Sequence, residues 1–112
     1  MKCRLENITI HYKVFGKGKP LIMLHGAGPD SRSMIGCMEP VMRKRKGWKR
    51  IYPDLPGMGK TPAAEWISSS DQMLDVVLDF IDFVAPEQCF AIAGASYGAY
   101  LAQGTVYKRT PQ

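Results

Sequence analysis

The sequence has few of the residues that bind metals, form disulfides or build membrane spans. It contains two histidines and three cysteines in 112 residues. Because Cys3, Cys37 and Cys89 form no Cys-x-x-Cys pair, neither a zinc site nor a dithiol redox motif is expected, and no cofactor is implied. No apolar run approaches the roughly 18 residues of a membrane span, so no membrane partner is expected. The odd cysteine count, without an N-terminal apolar segment, favours a reducing compartment and hence a cytoplasmic protein.

The composition is that of one globular domain. Hydrophobic residues make up 46% of the chain and charged residues 22%, which excludes a disordered chain and a coiled coil. A chain of this length holds at most one domain, so residues 1–112 are treated as a single unit.

Positive charge is concentrated in one short segment. The net charge is +5, and the cations of segment 43–50 are Arg43, Lys44, Arg45, Lys46, Lys49 and Arg50. Such a run is typical of a nucleic-acid patch or of a solvated helix end followed by a loop. The solvated loop is favoured because only Trp48 and Ile51 are apolar nearby and no aromatic stacking platform accompanies the run. Nucleic acid is therefore not an expected partner.

Apolar patterns predict several strands. Residues 8–14 alternate apolar and polar side chains, as in a half-buried strand, and residues 3–5 could pair with them as a short antiparallel edge. Residues 50–53 predict another short strand. The apolar runs 21–24 and 89–93 are typical of strands buried on both faces of a sheet.

Three segments predict helices. The first begins at residues 30–31, where Asp and Ser are both good N-caps, and Pro40 could bend or break it. The second, the clearest, begins at the capping box Ser69–Gln72. The third runs from 97 to about 107 and is weakened by Gly104.

A strand pair followed by strand–helix units predicts an α/β fold. We expect a mostly parallel sheet with flanking helices and an antiparallel N-terminal strand pair. Ligands of such sheets bind outside the carboxyl ends of the strands. The two most unusual loops follow Leu24 and Ala93, and both lie at that end of the predicted sheet.

The segment Gly94-Ala95-Ser96-Tyr97-Gly98 matches the Gly-x-Ser-x-Gly nucleophile elbow. In this motif a strained strand-to-helix turn lifts a serine hydroxyl above the sheet, and the small residues at Gly94 and Gly98 permit close approach of the backbone. The alternative is a glycine-rich turn with an ordinary serine. The apolar strand before the motif and the helix after it favour Ser96 as a catalytic nucleophile.

The loop after the first buried strand predicts an oxyanion hole. One donor of such a site is the backbone N–H after the nucleophile, here Tyr97, and the other comes from this loop, here Ala27. Gly26 and Gly28 shape the loop. His25 is predicted to brace it rather than to act as the base, because the base is expected after the serine in the chain.

Three segments in register resemble the α/β-hydrolase family. Residues 21–28 look like its third strand and oxyanion loop, residues 52–59 like the loop after its fourth strand, and residues 91–98 like its fifth strand and elbow. The resemblance covers essentially the whole chain. It implies a hydrolase that attacks a small ester, amide, thioester or activated C–C substrate through an acyl-enzyme at Ser96. Serine at the elbow argues against the dehalogenase and epoxide-hydrolase branches, which attack with a carboxylate.

The resemblance also implies an acid and a histidine after the serine, and the chain has neither. Residues 97–112 contain no Asp, Glu or His, and His11 falls on the polar face of an early strand. We therefore expect an incomplete hydrolase fold, the N-terminal portion of one domain, that is inactive without a C-terminal portion carrying the lid, acid and histidine. Its elbow strand would leave an apolar edge open to a second copy or to that portion. The alternative is a non-catalytic scaffold or interaction module.

Residues 57–61 end like a phosphate-binding P-loop. The full pattern requires a further glycine at the position that Asp54 occupies, and the segment opens no clear helix. Nucleotide binding is not expected.

Overall fold

The structure, a computed structural model, describes residues 1–86 and 89–109, which form five strands and three helices. The strands are β1 (Lys2–Arg4), β2 (Thr9–Phe15), β3 (Lys19–Leu24), β4 (Trp48–Pro53) and β5 (Ala91–Gly94). The helices are α1 (Ser31–Met42), α2 (Ser70–Val84) and α3 (Tyr97–Arg109).

The strands form one sheet in the order β1-β2-β4-β3-β5. β1 and β2 pair antiparallel, as do β2 and β4, whereas β3 pairs parallel with both β4 and β5. The predicted α/β class and the antiparallel N-terminal pair are therefore confirmed. The carboxyl ends of β3, β4 and β5 meet on one side, which we call the carboxyl end of the sheet; the opposite side is its amino end.

β5 is shorter and more exposed than the sequence predicts. The run 89–93 suggested a buried strand, but β5 begins at Ala91 and its residues are only partly buried. Among the described residues it pairs with β3 alone, because it is last in the strand order. The predicted open edge of the elbow strand is therefore present.

Both predicted N-caps begin their helices. The Asp30 carboxylate accepts the N–H of Arg32, and the Ser69 hydroxyl accepts the N–H of Gln72. The Gln72 side chain accepts the N–H of Ser68 at 2.7 Å. In each case a side-chain oxygen satisfies a backbone donor that the helix itself cannot pair.

Pro40 does not break α1, which continues to Met42. A proline ring crowds the carbonyl four residues earlier. That residue is Gly36, and α1 extends only two residues beyond the proline. Within the described residues, no helix has both the length and the apolar content needed to cross a membrane.

Helices cover both faces of the sheet. Ile22 and Leu24 of β3 pack in the core against α2 and α3, whereas Leu21 and Met23 pack against side chains of α1. Successive β3 side chains thus enter opposite cores, which requires the continuous apolar run seen in the sequence.

Arg50 does not belong to the solvated cationic segment in which the sequence placed it. Its side chain is 8% exposed and forms a bidentate pair with Glu39, with N···O distances of 2.6 and 3.1 Å. The Tyr52 hydroxyl also donates to Glu39, at 2.5 Å. The Arg50 guanidinium lowers the pKa of Glu39 from its ordinary value. Residues 43–47 are exposed, as predicted.

Candidate functional site

The Gly-x-Ser-x-Gly motif forms the turn between β5 and α3. Ser96 adopts a φ of 57°, and no other non-glycine residue of the described chain has a positive φ. The N–H of Ala95 donates to the carbonyl of Leu24 at 3.1 Å, which ties the turn to the end of β3. A left-handed backbone costs an L-residue about 1 to 2 kcal/mol, so surrounding contacts must hold the turn. Ser96 is exposed at the carboxyl end of the sheet.

Gly94 and Gly98 permit this turn because each lies against neighbouring backbone. A Cβ on Gly98 would lie 2.2 Å from the carbonyl oxygen of Leu24, and a Cβ on Gly94 would lie 2.2 Å from the carbonyl oxygen of Gly98. Backbone atoms cannot rotate away as a side chain can. A side chain at either glycine would therefore require β3 or α3 to move.

Gly26 brings the loop after β3 against the serine. A Cβ on Gly26 would lie 3.3 Å from Cβ of Ser96 and 3.8 Å from its Oγ. Gly28, with a φ of 93°, lets the loop turn toward α1. The N–H groups of Ala27 and Tyr97 have no hydrogen-bond partner within the described parts of the chain. Two open donors in the segments that meet at Ser96 are suited to stabilise an oxyanion.

His25 is fully buried, and both of its ring nitrogens are used inside the protein. The N–H of Leu55 donates to Nε2 at 3.0 Å, so this nitrogen carries no proton. Nδ1 therefore carries the proton and donates it to the carbonyl of Gly26 at 2.6 Å. The ring is a neutral brace between the loops after β3 and β4, and it has no free nitrogen to act as a base.

Asp54 holds the other end of the same loop, a role that the sequence analysis missed. Its buried carboxylate accepts the N–H of Ser31 at 2.8 Å and the N–H of Lys60 at 3.1 Å. Adjacent residues after β4 thus anchor both ends of the loop between β3 and α1, Leu55 at His25 and Asp54 at Ser31. The only sequence signal was an acidic residue directly after an apolar strand.

The segment that resembles a P-loop uses its amides internally. The N–H of Gly57 donates to the carbonyl of Thr61 at 3.2 Å, and the Asp54 carboxylate takes the N–H of Lys60. A Cβ on Gly59 would lie 2.5 Å from that carboxylate, so an acidic group fills the concave side of the loop. A phosphate would meet negative charge there instead of open N–H groups.

His11 lies far from Ser96. It is on β2, and β4 and β3 separate β2 from β5, so three strand spacings put about 14 Å between the two strands. Within the described residues, no group of three or more His, Cys, Asp and Glu side chains could hold a metal ion. The site therefore contains a serine and two open amides, without a base from either histidine.

Comparison with known proteins identifies the family. The model of the alpha/beta hydrolase family matches residues 21–109. The chain belongs to this family. The match includes the loop at His25, the loop at Asp54 and the turn at Ser96.

Relatives of known function or structure agree with this family. A pimeloyl-[acyl-carrier protein] methyl ester esterase of Legionella pneumophila is 34% identical over 85% of this chain. The crystal structure of an alpha/beta superfamily hydrolase from Oenococcus oeni superposes with a TM-score of 0.82 at 34% identity over 96% of this chain. A meta-cleavage product hydrolase superposes with a TM-score of 0.84 at 26% identity over 98% of this chain.

This alpha/beta hydrolase chain spans about a third of the length of the curated relatives it matches. It covers 35% of the Legionella esterase and 39% of the Oenococcus hydrolase. The matched part contains the turn at Ser96 and the loop between β3 and α1.

The strained backbone at Ser96 gives a first testable prediction. Glycine adopts a positive φ without penalty, whereas alanine keeps the strain. Ser96→Gly should therefore be more stable than Ser96→Ala by about 1 kcal/mol, measured as the free energy of unfolding in urea. The same two substitutions at Ser33, an exposed helical position, should show the opposite order of stability because glycine destabilises a helix. Equal stability of the two Ser96 variants would contradict a strained turn.

The anchor at Asp54 gives a second prediction. Asp54→Ala leaves the buried N–H of Ser31 and the N–H of Lys60 without their acceptor, at about 1 to 3 kcal/mol each, so a loss of about 2 to 6 kcal/mol is expected. Asp54→Asn keeps one acceptor and should lose about half as much. Asp30→Ala, which removes the partly exposed N-cap of α1, the helix that begins at Ser31, should lose about 1 kcal/mol. If urea unfolding shows Asp54→Ala to be as stable as Asp30→Ala, or more stable, the anchoring role of Asp54 is refuted.

Proposed function

We propose that this chain carries the nucleophile and the oxyanion donors of a serine hydrolase. Ser96 Oγ attacks the carbonyl carbon of the substrate and gives its proton to a base. The carbonyl oxygen becomes an oxyanion that accepts hydrogen bonds from the N–H groups of Ala27 and Tyr97. Collapse of this intermediate forms the acyl-enzyme, and the alcohol leaves with the proton of the base. Water then gives a proton to the base and attacks the acyl-enzyme ester; the carboxylic acid is released, and Ser96 Oγ takes the proton back from the base.

The observation that carries the proposal is the strained, exposed serine at the meeting point of two loops. The fold maintains Ser96 at a φ of 57°, at a cost that an ordinary turn would avoid by using glycine there. Gly26 lies against the serine side chain. The buried neutral ring of His25 then secures the loop that contains Ala27.

We further propose that the 112 residues have little or no turnover by themselves. A serine hydroxyl is a weak nucleophile without a base, His25 uses both ring nitrogens, and His11 is three strands away. The acid and the histidine would come from a C-terminal portion of the same domain. That portion would also supply the lid and so determine the substrate.

A small carboxylic ester is the favoured substrate class, with amides, thioesters and activated C–C compounds as the wider range. The support is the similarity to a methyl ester esterase at 34% identity. No metal or organic cofactor takes part in the proposed steps. We place the protein in the cytoplasm, without a nucleic-acid or membrane partner, because of its free cysteines and apolar pattern.

A fluorophosphonate probe tests the proposal. The product of the complete coding sequence should be labelled, and peptide mapping should find the label on Ser96. The 112-residue chain, once circular dichroism shows that it is folded, should show little label. A folded complete product without label at Ser96 would refute the proposed nucleophile, whereas full turnover of an aryl ester by the 112 residues would refute the need for a C-terminal portion.

The alternative is a non-catalytic interaction module that uses the open edge of β5. The observation in its favour is that β5 pairs only with β3 among the described residues and is only partly buried. Under this alternative the chain would form a concentration-dependent dimer in sedimentation experiments, and the complete product would remain unlabelled.

A further inference from the structure

A groove lined by cationic side chains lies at the amino end of the sheet. It has a volume of about 260 Å³, and its charged lining residues are Lys17, Arg43, Arg45, Lys46 and Arg50, with Trp48 beside them. Within the described residues, no Asp or Glu lines it. We call it the basic groove. We propose that the basic groove binds a compact anion carrying two adjacent phosphate groups.

Two turns of the chain are locked together to form the groove. Lys17 is in the turn between β2 and β3, and residues 43–47 form the turn between α1 and β4. The N–H of Lys19 donates to the carbonyl of Gly47 at 2.9 Å. A Cβ on Gly18 would lie 2.1 Å from the same carbonyl oxygen. The fold thus holds cations from two separate turns around one space.

Most of the lining cations have no ion-pair partner inside the described part of the protein. Arg50 is paired with Glu39. The other lining cations, Lys17, Arg43, Arg45 and Lys46, form no ion pair within the described residues. Like charges held together repel one another, and a multivalent anion between them removes that repulsion. Arginine donates paired hydrogen bonds to phosphate oxygens, and lysine adds a compact positive charge.

The shape favours a small diphosphate over a polymer or a lipid surface. The cations line a concave space of limited volume, rather than a long stripe that could follow a nucleic-acid backbone. The Trp48 side chain is half-buried and packs on the core beside α1, so it is not a fully exposed platform on which a base could stack. The recognised group is therefore the diphosphate, whether inorganic or part of a larger molecule.

The basic groove is separate from the serine site. β3 begins at Lys19 beside the groove and ends at Leu24 beside the elbow, so its rise puts about 16 Å between them. The bonds of a diphosphate held in the groove are therefore too far from Ser96 to react there. The proposal therefore does not depend on the proposed hydrolase activity.

Isothermal titration of the 112-residue chain with inorganic pyrophosphate tests the proposal. At low ionic strength pyrophosphate should bind at least ten times more tightly than sulfate. The double variant Lys17→Gln/Arg45→Gln should weaken pyrophosphate binding at least tenfold. The control Lys2→Gln/Lys108→Gln, which removes the same charge from exposed positions elsewhere, should change it less than twofold.

Further ligands identify the source of the diphosphate. If adenosine diphosphate and pyrophosphate bind with equal affinity, the site accepts a diphosphate that is part of a larger molecule. If only pyrophosphate binds, the ligand is inorganic. Equal weakening by both double variants would overturn the proposal, since net charge alone would then explain binding. Tighter binding of duplex DNA or of anionic vesicles than of pyrophosphate would also overturn it.

Discussion

Replacing Ser96 by alanine should reduce ester turnover by the complete gene product about 10⁴- to 10⁶-fold. Loss of a nucleophile has effects of this size because the oxyanion donors can then act only on a direct attack by water. Folding should be retained, because alanine is compatible with the exposed position of this side chain. The measurement is the rate of aryl-ester hydrolysis, with unfolding in urea as the check on folding.

Ser33→Ala is the matched control for this prediction. Ser33 is an exposed serine on α1 whose hydroxyl donates to the carbonyl of Asp30 at 2.9 Å. Its replacement should change turnover less than twofold. The nucleophile would have to be sought elsewhere if Ser96→Ala kept a tenth or more of the activity.

Replacing Gly98 by alanine should strongly destabilise the fold. Alanine is the better helix former, so helix propensity alone predicts a gain of about 1 kcal/mol at this position in α3. The tertiary structure predicts the opposite sign. The added Cβ would lie 2.2 Å from the carbonyl oxygen of Leu24 and 2.6 Å from that of His25. Overpacking against backbone should lower the free energy of unfolding by about 3 kcal/mol or more.

Gly36→Ala is the control that isolates this contact. Gly36 is also in a helix, and a Cβ there meets nothing within 4 Å. This variant should become more stable by about 0.5 to 1 kcal/mol in urea unfolding. A Gly98→Ala protein that does not fold agrees with the prediction, whereas one as stable as Gly36→Ala contradicts the packing of the elbow on β3.

The features that could be predicted from the sequence are those that nearby residues determine. The N-caps Asp30 and Ser69 were predictable because each side chain bonds to backbone only two or three residues away. The Gly-x-Ser-x-Gly turn was predictable because its chemistry lies within five residues. Even Gly104, predicted only to weaken α3, has a tertiary reason: a Cβ there would lie 2.8 Å from the Leu74 side chain of α2.

The sequence by itself determined the α/β class, the place of Ser96 between a strand and a helix, and the lack of Asp, Glu and His in residues 97–112. The tertiary structure decided which distant groups meet. It buried Arg50 against Glu39, joined His25 to Leu55, and placed Asp54 on Ser31. These contacts depend on strand order and on the packing of α1, which bring together residues that are 11 to 30 positions apart. Periodicity and turn chemistry report the conformation of a segment, whereas the partner of a buried polar group is set only when the segments pack.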